Sequence, residues 1–483
     1  MSTESSSLNL FFQPRRIAVV GASEQGMYPA GILQNLMNYG YSGELYPVNP
    51  GRESVFGLRC YPDVTQTPCP ADLAILTVPR RAVLPVLQQC LQAGIPAALI
   101  ITAGFAEADQ EGQQLQQEMV RLLADTPLRV IGPNCAGLAN IPGRVIATRL
   151  PAPPRDGPIS FVSQSGALMM AFYGLFADRH IGLDRLLSLG NQVDVTLAAS
   201  LAYLVDEPQT EVVGAFVEGI VDGQALVAAL RQALLAGKPV VLVKSGRTAA
   251  GQRAAASHTA ALAGSDRVFA AVCRQFGAIQ VEDVGELVNT LQVLSAFGRR
   301  LDVPGRLALV TQSGGLGSLA ADLSQMAALE LPPPGETIRT ALRALPFLLD
   351  FDNLGNPADI RGAGVIGQNT AKTLAPFMAD PNSDAVVLLL AKSSVREQDA
   401  QTAAAIVSVA QQYEKPLLVV WVGQREPTGE SAWQPAETIL LQGGVPVFSQ
   451  PGECLRALGR AVAYWGFRRA WLAGVEDGLG RPG

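Results

Sequence analysis

Four short blocks of sequence occur twice in the same order, once in the middle of this 483-residue chain and once nearer its end. In the first pair, Phe161–Ala167 and Val310–Gly315, an apolar run leads into a Ser/Gly turn and then into a helical stretch. The other pairs are Leu189–Val195 with Leu354–Ile360, Glu211–Val217 with Asp384–Leu390, and Lys238–Val243 with Lys415–Val420. Four matches in a constant order predict a duplicated domain. Two unrelated α/β domains with similar turns are the alternative.

Short β-branched runs alternate with longer helical stretches along the whole chain. The runs are solidly apolar, as in parallel strands that are buried on both faces: Ile17–Val20, Asp72–Val78, Ala97–Ile101 and Leu128–Ile131. Helix-like segments such as Gln110–Leu123 lie between them. The pattern therefore predicts a doubly wound α/β architecture.

Two Pro-rich or basic breaks, Leu150–Pro158 and Gly298–Gly305, divide the chain into parts of ordinary domain size. The polar start and the short stretch at the end are predicted to be tails outside these domains. The predicted division is a disordered tail over 1–13, domains over 14–150, 151–298 and 303–470, and a C-terminal tail over 471–483.

Composition excludes several classes of function. Apolar residues make up 48% of the chain and charged residues 16%, which favours several buried cores over disorder. The net charge of -6, with no basic run, gives no electrostatic basis for binding nucleic acid. No apolar stretch is long enough to span a bilayer, and the start carries no basic signal region. Six cysteines without a CxxC pair and only two histidines predict a reduced, cytoplasmic protein without a metal site.

The segment Ile17–Gly26 reads as a strand, a glycine turn and a helix start. Gly21 and Gly26 keep the outer spacing of a dinucleotide fingerprint, and Ser23 takes the middle place. Backbone N–H groups and the helix N-terminus of such a turn face an anion. The next strand ends in Val48–Pro50, without the acid that holds a ribose in NAD-type folds. The missing acid argues against NAD and leaves another phosphorylated nucleotide open. A Rossmann-like turn that binds nothing is the alternative.

Two further segments carry residues suited to phosphoryl chemistry. The turn at Ser163–Gly166 precedes a helical stretch, so it suits either a bound phosphate or an ordinary helix cap. His258 lies among small residues, and a neutral imidazole is a capable nucleophile towards phosphorus. Glu218, after the predicted strand Val212–Val217, is a candidate to hold its second nitrogen. A surface histidine is the alternative interpretation of His258.

The two copies differ where this chemistry would lie. Aligning the blocks places Ala391 opposite Glu218 and Trp421 opposite Lys244, and nothing in the third part replaces His258. The third domain is therefore predicted to dock or support rather than to react.

Taken together, these blocks resemble the NDP-forming acyl-CoA synthetases, close to the α subunit of ADP-forming acetyl-CoA synthetase and more distantly the α subunit of succinyl-CoA synthetase. The resemblance runs from about Pro14 to Trp471. Its most specific pieces are Ile131–Cys135, Phe161–Gly166, Ser188–Asn191, Val217–Gly219, Lys244–Arg247, Ser257–Thr259 and Ala263–Asp266. The sequence departs from the family pattern at two places. Ala260 stands where the family often has glycine, and Gly51 and Arg52 follow Pro50 where the family usually has a lysine.

The resemblance implies a Rossmann-like CoA-binding domain followed by two flavodoxin-like (succinyl-CoA synthetase-like) domains. His258 would be the phosphorylated residue and Glu218 the carboxylate that steadies it. The phosphate-binding turn would be Ser163, Gln164, Ser165 and Gly166. The residues implied for coenzyme A are Gly21, Ala22, Ser23, Asn49, Pro50, Val78, Pro79, Ala103, Gly104, Phe105 and Asn134.

The implied reaction converts acyl-CoA, phosphate and ADP to acid, CoA and ATP through an acyl phosphate and a phosphohistidine. The last step needs an ATP-grasp domain, which we expect on a partner β subunit that binds Mg-ADP, in an α2β2 assembly. The alternative is a CoA-binding regulatory region related to protein acyltransferases, or a non-catalytic acyl-CoA sensor. Some such relatives lack the histidine, so the presence of His258 favours the enzyme.

Overall fold

Contacts along the chain define two compact units in the computed structural model. One unit comprises Met1–Ala177 with Ile181–Val284, and the other comprises Asp178–His180 with Gly285–Gly483. The structure describes residues 3–258, 265–392, 396–423 and 435–476. No helix within those ranges is both long and apolar enough to cross a membrane.

The first part of the chain forms a five-stranded parallel sheet in the order β2-β1-β5-β6-β7, with a small β3–β4 hairpin beside it. All the predicted apolar runs in this region are strands, and the predicted helix over Gln110–Leu123 has those bounds. The elements are α1 Thr3–Phe12, β1 Arg16–Val20, α2 Met27–Asn38, β2 Glu44–Val48, β3 Ser54–Val55, β4 Leu58–Arg59, β5 Leu73–Leu76, α3 Arg80–Gln92, β6 Ala97–Ile100, α4 Gln110–Leu123 and β7 Arg129–Ile131.

The second part forms a seven-stranded sheet in the order β14-β13-β12-β10-β11-β8-β9. Its first five strands in that order are parallel, and the β8–β9 hairpin adds to β11 in antiparallel fashion. The elements are β8 Gly137–Asn140, β9 Val145–Thr148, β10 Asp156–Ser163, α5 Gly166–Asp178, β11 Leu183–Ser188, α6 Leu197–Asp206, β12 Val212–Val217, α7 Gly223–Ala236, β13 Val240–Lys244, α8 Ala249–His258, α9 Asp266–Gln275 and β14 Ile279–Val281.

The third part forms a five-stranded parallel sheet in the order β16-β15-β17-β18-β19. The elements are α10 Val284–Phe297, β15 Leu307–Thr311, α11 Gly314–Met326, α12 Glu336–Arg343, β16 Ala358–Asp359, α13 Asn369–Ala379, β17 Ala385–Ala391, α14 Arg396–Ala410, β18 Leu417–Val422, α15 Pro435–Gln442, β19 Val447–Phe448 and α16 Pro451–Glu476. Short 3-10 turns occur at Val64–Gln66, Gly298–Leu301 and Gly362–Val365.

The second and third sheets share one topology, as the repeated blocks predict. Read in chain order, the parallel strands β10 to β14 take the same places as β15 to β19. The strand registers also agree with the sequence alignment of the copies. Phe216 pairs with Ser163 and Leu389 with Thr311, so Glu218 and Ala391 hold equivalent positions. Val217 pairs with Lys244 and Leu390 with Trp421, which makes Lys244 and Trp421 equivalent as well.

The N-terminal segment is the clearest departure from the predicted organisation. Residues expected to be a disordered tail over 1–13 include the helix α1, in which Leu8, Phe11 and Phe12 are fully buried. The ring of Phe12 stacks on Tyr203 of α6, with 5.1 Å between centroids. Burial of each such side chain contributes about 1.5–3 kcal/mol, so the prediction of disorder is wrong for this segment. The residues against which α1 packs, such as Tyr203, lie far away in the sequence.

Two predicted boundaries are also wrong. The β8–β9 hairpin lies before residue 150 but belongs to the second sheet, because β8 pairs with β11. At the end of the chain, α16 continues to Glu476, past the predicted start of the tail at residue 471. In both cases tertiary packing, rather than a Pro-rich or polar stretch in the sequence, determines where the element belongs or ends.

Candidate functional site

The glycine turn after β1 is built by the ends of neighbouring strands. The N–H groups of Gly21 and Ala22 donate to the Val48 carbonyl, at 2.9 and 3.2 Å. Gly21 has φ of +89°, and a Cβ there would lie 3.0 Å from the Thr77 backbone, so only glycine fits. Asn49 Nδ2 donates to the Ala22 carbonyl at 2.9 Å and ties the β2 end to the turn. The Gly21 and Ala22 N–H groups are therefore used within the turn, and what glycine at position 21 allows is a close approach of a phosphate to the backbone.

Other residues predicted for coenzyme A follow strand ends at the same edge of the first sheet. Val78 and Pro79 come after β5, Ala103–Phe105 after β6, and Asn134 after β7. Phe105 is fully buried in the core of the first sheet, so its side chain cannot face a ligand. Only its backbone can contribute, because the apolar ring is used for packing.

A hydrogen-bonded network that the sequence analysis did not identify joins this edge to the second sheet. Glu107 Oε1 accepts from the N–H of Gly104 at 2.7 Å, and its Oε2 accepts from Asn191 Nδ2 at 2.6 Å. Asn191 Nδ2 also donates to Gln116 Oε1 at 2.9 Å, and Asn134 Nδ2 donates to Asn191 Oδ1 at 3.3 Å. Burial disfavours ionisation of Glu107, but the hydrogen bonds from Asn191 and the Gly104 N–H outweigh it and lower the pKa of the carboxyl. The sequence signal for this network was Asn191, which lies in the repeated block Leu189–Val195. Its hydrogen-bond partners could not be identified from the sequence.

The predicted phosphate turn enters α5, and its hydroxyl groups are engaged with the backbone. Ser163 Oγ donates to the Ser165 carbonyl at 2.6 Å and accepts from the Ser165 N–H at 3.2 Å. Ser165 Oγ accepts from the Leu168 N–H at 3.4 Å, which is a helix-capping contact. The capping interpretation therefore describes Ser165. An anion at this turn would meet the N–H groups of Gly166 and Ala167, which open the first turn of α5.

Gln164 connects this turn to Glu218. Its Oε1 accepts from the N–H groups of Glu218 and Gly219, the latter at 2.9 Å. Its Nε2 donates to the Gly219 carbonyl at 2.7 Å. The side chain is only 5% exposed, so all three contacts are made in a buried setting. Gln164 positions the backbone of Glu218 and is not available as a phosphate ligand in this conformation, contrary to its predicted role.

The phosphate turn lies directly against the loop that carries Asn134. A Cβ on Gly166 would lie 3.0 Å from the Cβ of Ala136 and 3.5 Å from Ser188 Oγ. Ser188 Oγ also accepts from the Ala136 N–H at 3.0 Å. The N-terminus of α5 and the loop after β7, at the edge of the first sheet predicted to bind coenzyme A, are thus neighbours within one compact unit.

His258 is the last residue of α8, so part of the small-residue stretch around it is helical. The side chain of His258 and residues 259–264 lie outside the described residues. The flanks of that segment are joined by Arg247, whose Nε is 3.5 Å from Asp266 Oδ2 at the start of α9. Lys244, at the end of β13, is buried; burial lowers the pKa of its ammonium, which donates to the Ser245 carbonyl at 2.9 Å. Among the residues that the structure describes, no group of three or more His, Cys, Asp or Glu could hold a metal ion.

Two domain families match this arrangement. A CoA binding domain matches residues 15–141, and a succinyl-CoA ligase like flavodoxin domain matches residues 156–294. The fold, together with the neighbouring strand ends of the first and second sheets, therefore defines a protein of the CoA-ligase class.

Relatives and solved structures extend the match to nearly the full chain. The α subunit of acetate–CoA ligase [ADP-forming] I of Pyrococcus furiosus is 31% identical over 464 residues, covering 94% of this chain and 96% of the relative. The 4-hydroxybutyrate–CoA ligase [ADP-forming] of Nitrosopumilus maritimus is 31% identical, covering 93% of this chain and 63% of the relative. The dinucleotide-forming acetyl-coenzyme A synthetase 1 of Ca. Korarchaeum cryptofilum, solved with phosphate and ADP, is 30% identical with a TM-score of 0.87 and covers 98% of this chain and 99% of that one. The chain belongs to the family of NDP-forming acyl-CoA synthetases, in the part that corresponds to their α subunits, which confirms the resemblance.

Proposed function

We propose that this chain binds acyl-CoA and phosphate at adjoining sites and carries the phosphoryl group on His258 in the reaction of acyl-CoA, phosphate and ADP to acid, CoA and ATP. The observation that supports this most strongly is the close approach of Gly166 to Ala136, which leaves little room for a Cβ at position 166. It brings the N-terminus of α5, suited to an anion, beside the loop after β7, suited to the CoA thioester. Two reactants must lie within about 3–3.5 Å of each other to react, and this arrangement favours such an approach.

Coenzyme A is proposed to lie along the edge of the first sheet. The backbone at Gly21 and Ala22 would lie against its phosphates, and the Ser23 hydroxyl would donate to them. Arg52, whose guanidinium is 3.4 Å from Ser23 Oγ, would add a positive charge. Asn49, Pro50, Val78, Pro79, Ala103, Gly104 and Asn134 would line the remainder of the cleft, with the backbone of Ala22 and Phe105. Ligands of open α/β sheets bind in this place, outside the carboxyl ends of the strands.

The first proposed step joins phosphate to the acyl group. A phosphate oxygen attacks the thioester carbonyl carbon, the C–S bond breaks, and the thiolate takes up a proton to give CoA and an acyl phosphate. In the second step an imidazole nitrogen of His258 attacks phosphorus, the P–O bond to the acyl group breaks, and the carboxylate leaves. The positive end of the α5 dipole would stabilise the charge on the phosphoryl oxygens in both steps.

The last step transfers the phosphoryl group from His258 to ADP, with cleavage of the N–P bond. We propose that a partner β subunit with an ATP-grasp domain binds Mg-ADP for this step, in an α2β2 assembly. The naming of relatives as α subunits supports a partner. Relatives of similar identity are named for acetate, 4-hydroxybutyrate and trans-feruloyl-CoA, so the acid is a small or medium carboxylic acid.

The proposal is tested by labelling the chain with radioactive phosphate in the presence of acetyl-CoA or 4-hydroxybutyryl-CoA. We expect an acid-labile, base-stable label on the protein, since a phosphoramidate bond has that stability. Omitting the acyl-CoA should prevent labelling. A label that is acid-stable, or one that forms without acyl-CoA, would contradict a phosphohistidine derived from acyl phosphate.

Replacing Glu218 with glutamine should slow labelling by about 10–100-fold, because a carboxylate that orients a histidine also stabilises its charged product. The main-chain contacts of residue 218 with Gln164 should persist, so the fold should not change. The matched control is Glu211→Gln, at the exposed position just before the same strand β12, at the opposite edge of the sheet. Equal labelling rates for the two variants would remove Glu218 from the mechanism.

Replacing Gln164 with glutamate should also slow labelling, by about tenfold or more. The carboxylate can still accept from the Glu218 and Gly219 N–H groups, but it cannot donate to the Gly219 carbonyl, and it adds a negative charge beside the phosphate turn. Gln209→Glu introduces the same charge at an exposed position before β12 and should label at the unmodified rate. A Gln164→Glu protein that labels normally would show that the hydrogen bonds of the Gln164 side chain do not position Glu218.

A further inference from the structure

Glu107 and Asn191 form the centre of a half-buried hydrogen-bonded network, and neither residue belongs to the predicted site. We propose that these two side chains are positioning residues, which hold the Gly104–Phe105 turn of the CoA cleft at a fixed place relative to the loop that carries Asn134. This inference rests on the proposed function for the identity of the ligand in the cleft.

Both oxygens of the Glu107 carboxylate are used. Oε1 accepts from the N–H groups of Gly104 and Phe105, at 2.7 and 3.2 Å, and thereby shapes the turn after β6. Oε2 accepts from Asn191 Nδ2 at 2.6 Å. All of these donors are neutral, so the carboxylate gives up hydration without a cation partner in this set of contacts. A carboxylate placed there at that cost indicates that the positions of the groups donating to it are important.

Asn191 links the Glu107 carboxylate to Asn134, which follows β7. Its amide group must direct Nδ2 towards Glu107 and Gln116, because both present acceptor oxygens. Its Oδ1 is then directed to Asn134, which has to act as the donor, at 3.3 Å. Asn134 itself has φ of 59°, a conformation that asparagine adopts more readily than most residues. The orientation of the Asn134 amide is therefore determined by the Glu107 charge through Asn191.

The network ends next to the phosphate turn. Ala136, two residues after Asn134, contacts the position of Gly166 at the start of α5. A change in the β7 loop would consequently move the thioester side of the cleft relative to the phosphate side. Small misplacements of this kind have large effects on rate, since reacting atoms must be aligned within a fraction of an ångström.

A reciprocal exchange of the two side chains tests the proposal. In Glu107→Gln the new amide can still accept from the turn, but its NH2 group then faces the NH2 group of Asn191. In Asn191→Asp two carboxylates face each other. The double variant Glu107→Gln/Asn191→Asp restores a donor opposite an acceptor and keeps the net charge of the pair, and the new carboxylate at position 191 still accepts from Asn134. Rotation of the Gln116 amide, at the expense of its 3.3 Å bond from the Ala106 N–H, replaces the donor that Asn191 gave to Gln116.

We expect each single variant to weaken CoA binding, measured by titration calorimetry, by about tenfold, and the double variant to recover to within about threefold of the unmodified chain. The labelling rate at saturating acyl-CoA should follow the same order. Glu118→Gln, an exposed carboxylate on α4, is the control and should bind CoA normally. Thermal unfolding midpoints close to that of the unmodified chain would exclude a general loss of stability as the cause.

The outcomes separate this inference from the proposed function. Single variants that bind CoA within twofold of the unmodified chain, or a double variant as weak as the combined singles, would overturn the positioning role alone. If the unmodified chain binds CoA but acquires no label, the phosphohistidine proposal fails and the binding data still decide the role of Glu107. If the unmodified chain does not bind CoA, both proposals fail.

Discussion

Replacing His258 with alanine should abolish the acid-labile, base-stable label that the chain acquires from acyl-CoA and labelled phosphate. The imidazole nitrogen is the atom proposed to accept the phosphoryl group, and alanine offers no nucleophile in its place. The expected loss is complete, which makes this the largest effect on activity that we predict. Residue 258 ends helix α8, where alanine is well tolerated, so the variant should fold normally.

The steps before phosphoryl transfer should survive in the His258→Ala protein. CoA should bind within about twofold of its normal affinity, because the proposed CoA contacts lie on the first sheet. Acyl phosphate should still form from acyl-CoA and phosphate. Because hydroxylamine gives a hydroxamate with acyl phosphate and also with the thioester, the measured quantity is the hydroxamate that depends on added phosphate. The matched control is His180→Asn, at the only other histidine in the chain. His180 has φ of 54°, which asparagine tolerates, and this variant should label at the normal rate. A label that persists in His258→Ala, or disappears in His180→Asn, would contradict the assignment.

The sequence predicted those features that local pattern and repetition determine. The helix over Gln110–Leu123 and the strand over Val212–Val217 have the predicted bounds because apolar periodicity and flanking polar residues define them locally. The alignment of the two copies correctly placed Ala391 opposite Glu218, since a shared topology fixes the strand ends. The family resemblance is confirmed by relatives over 94% of the chain.

The features that the sequence did not predict depend on contacts between distant residues. Helix α1 is stable because Phe12 stacks on Tyr203, and a polar start such as Met1–Ser7 gives no sign of that partner. The β8–β9 hairpin joins the second sheet through β11, which lies much further along the chain. Hydroxyl and amide side chains present a different difficulty. Ser163 and Gln164 suit a phosphate or the backbone equally well by type, and only geometry shows that the backbone takes them.

A buried charge cluster at the start of β11 also escaped prediction, and it gives the largest expected effect on stability. Arg185 lies on β11 with a side chain only 7% exposed, and it contacts Asp184 Oδ1 and Glu207 Oε2, the latter at 2.6 Å. Asp184 also accepts from Thr210 Oγ1 at 2.6 Å, and burial raises the pKa of its carboxyl. The Arg185 guanidinium is 5.9 Å from the Phe12 ring centroid, so the cluster also supports α1.

Replacing Arg185 with methionine, which keeps much of the side-chain volume, should destabilise the first compact unit by about 3–5 kcal/mol at neutral pH, because two buried carboxylates lose their cation. The sign of the pH dependence follows from Asp184, whose pKa burial already raises. Without Arg185 the folded-state pKa of Asp184 rises further above its unfolded value, so protonation favours the folded state and the deficit shrinks as the pH falls towards about 5. Urea unfolding of the variant and the unmodified chain at about pH 5 and about pH 8 measures this difference. Arg81→Met, which removes an exposed ion pair with Glu111, should cost only about 0–1 kcal/mol and serves as the control. A deficit of the same small size at Arg185, or one that grows on acidification, would show that the cluster does not depend on its cation.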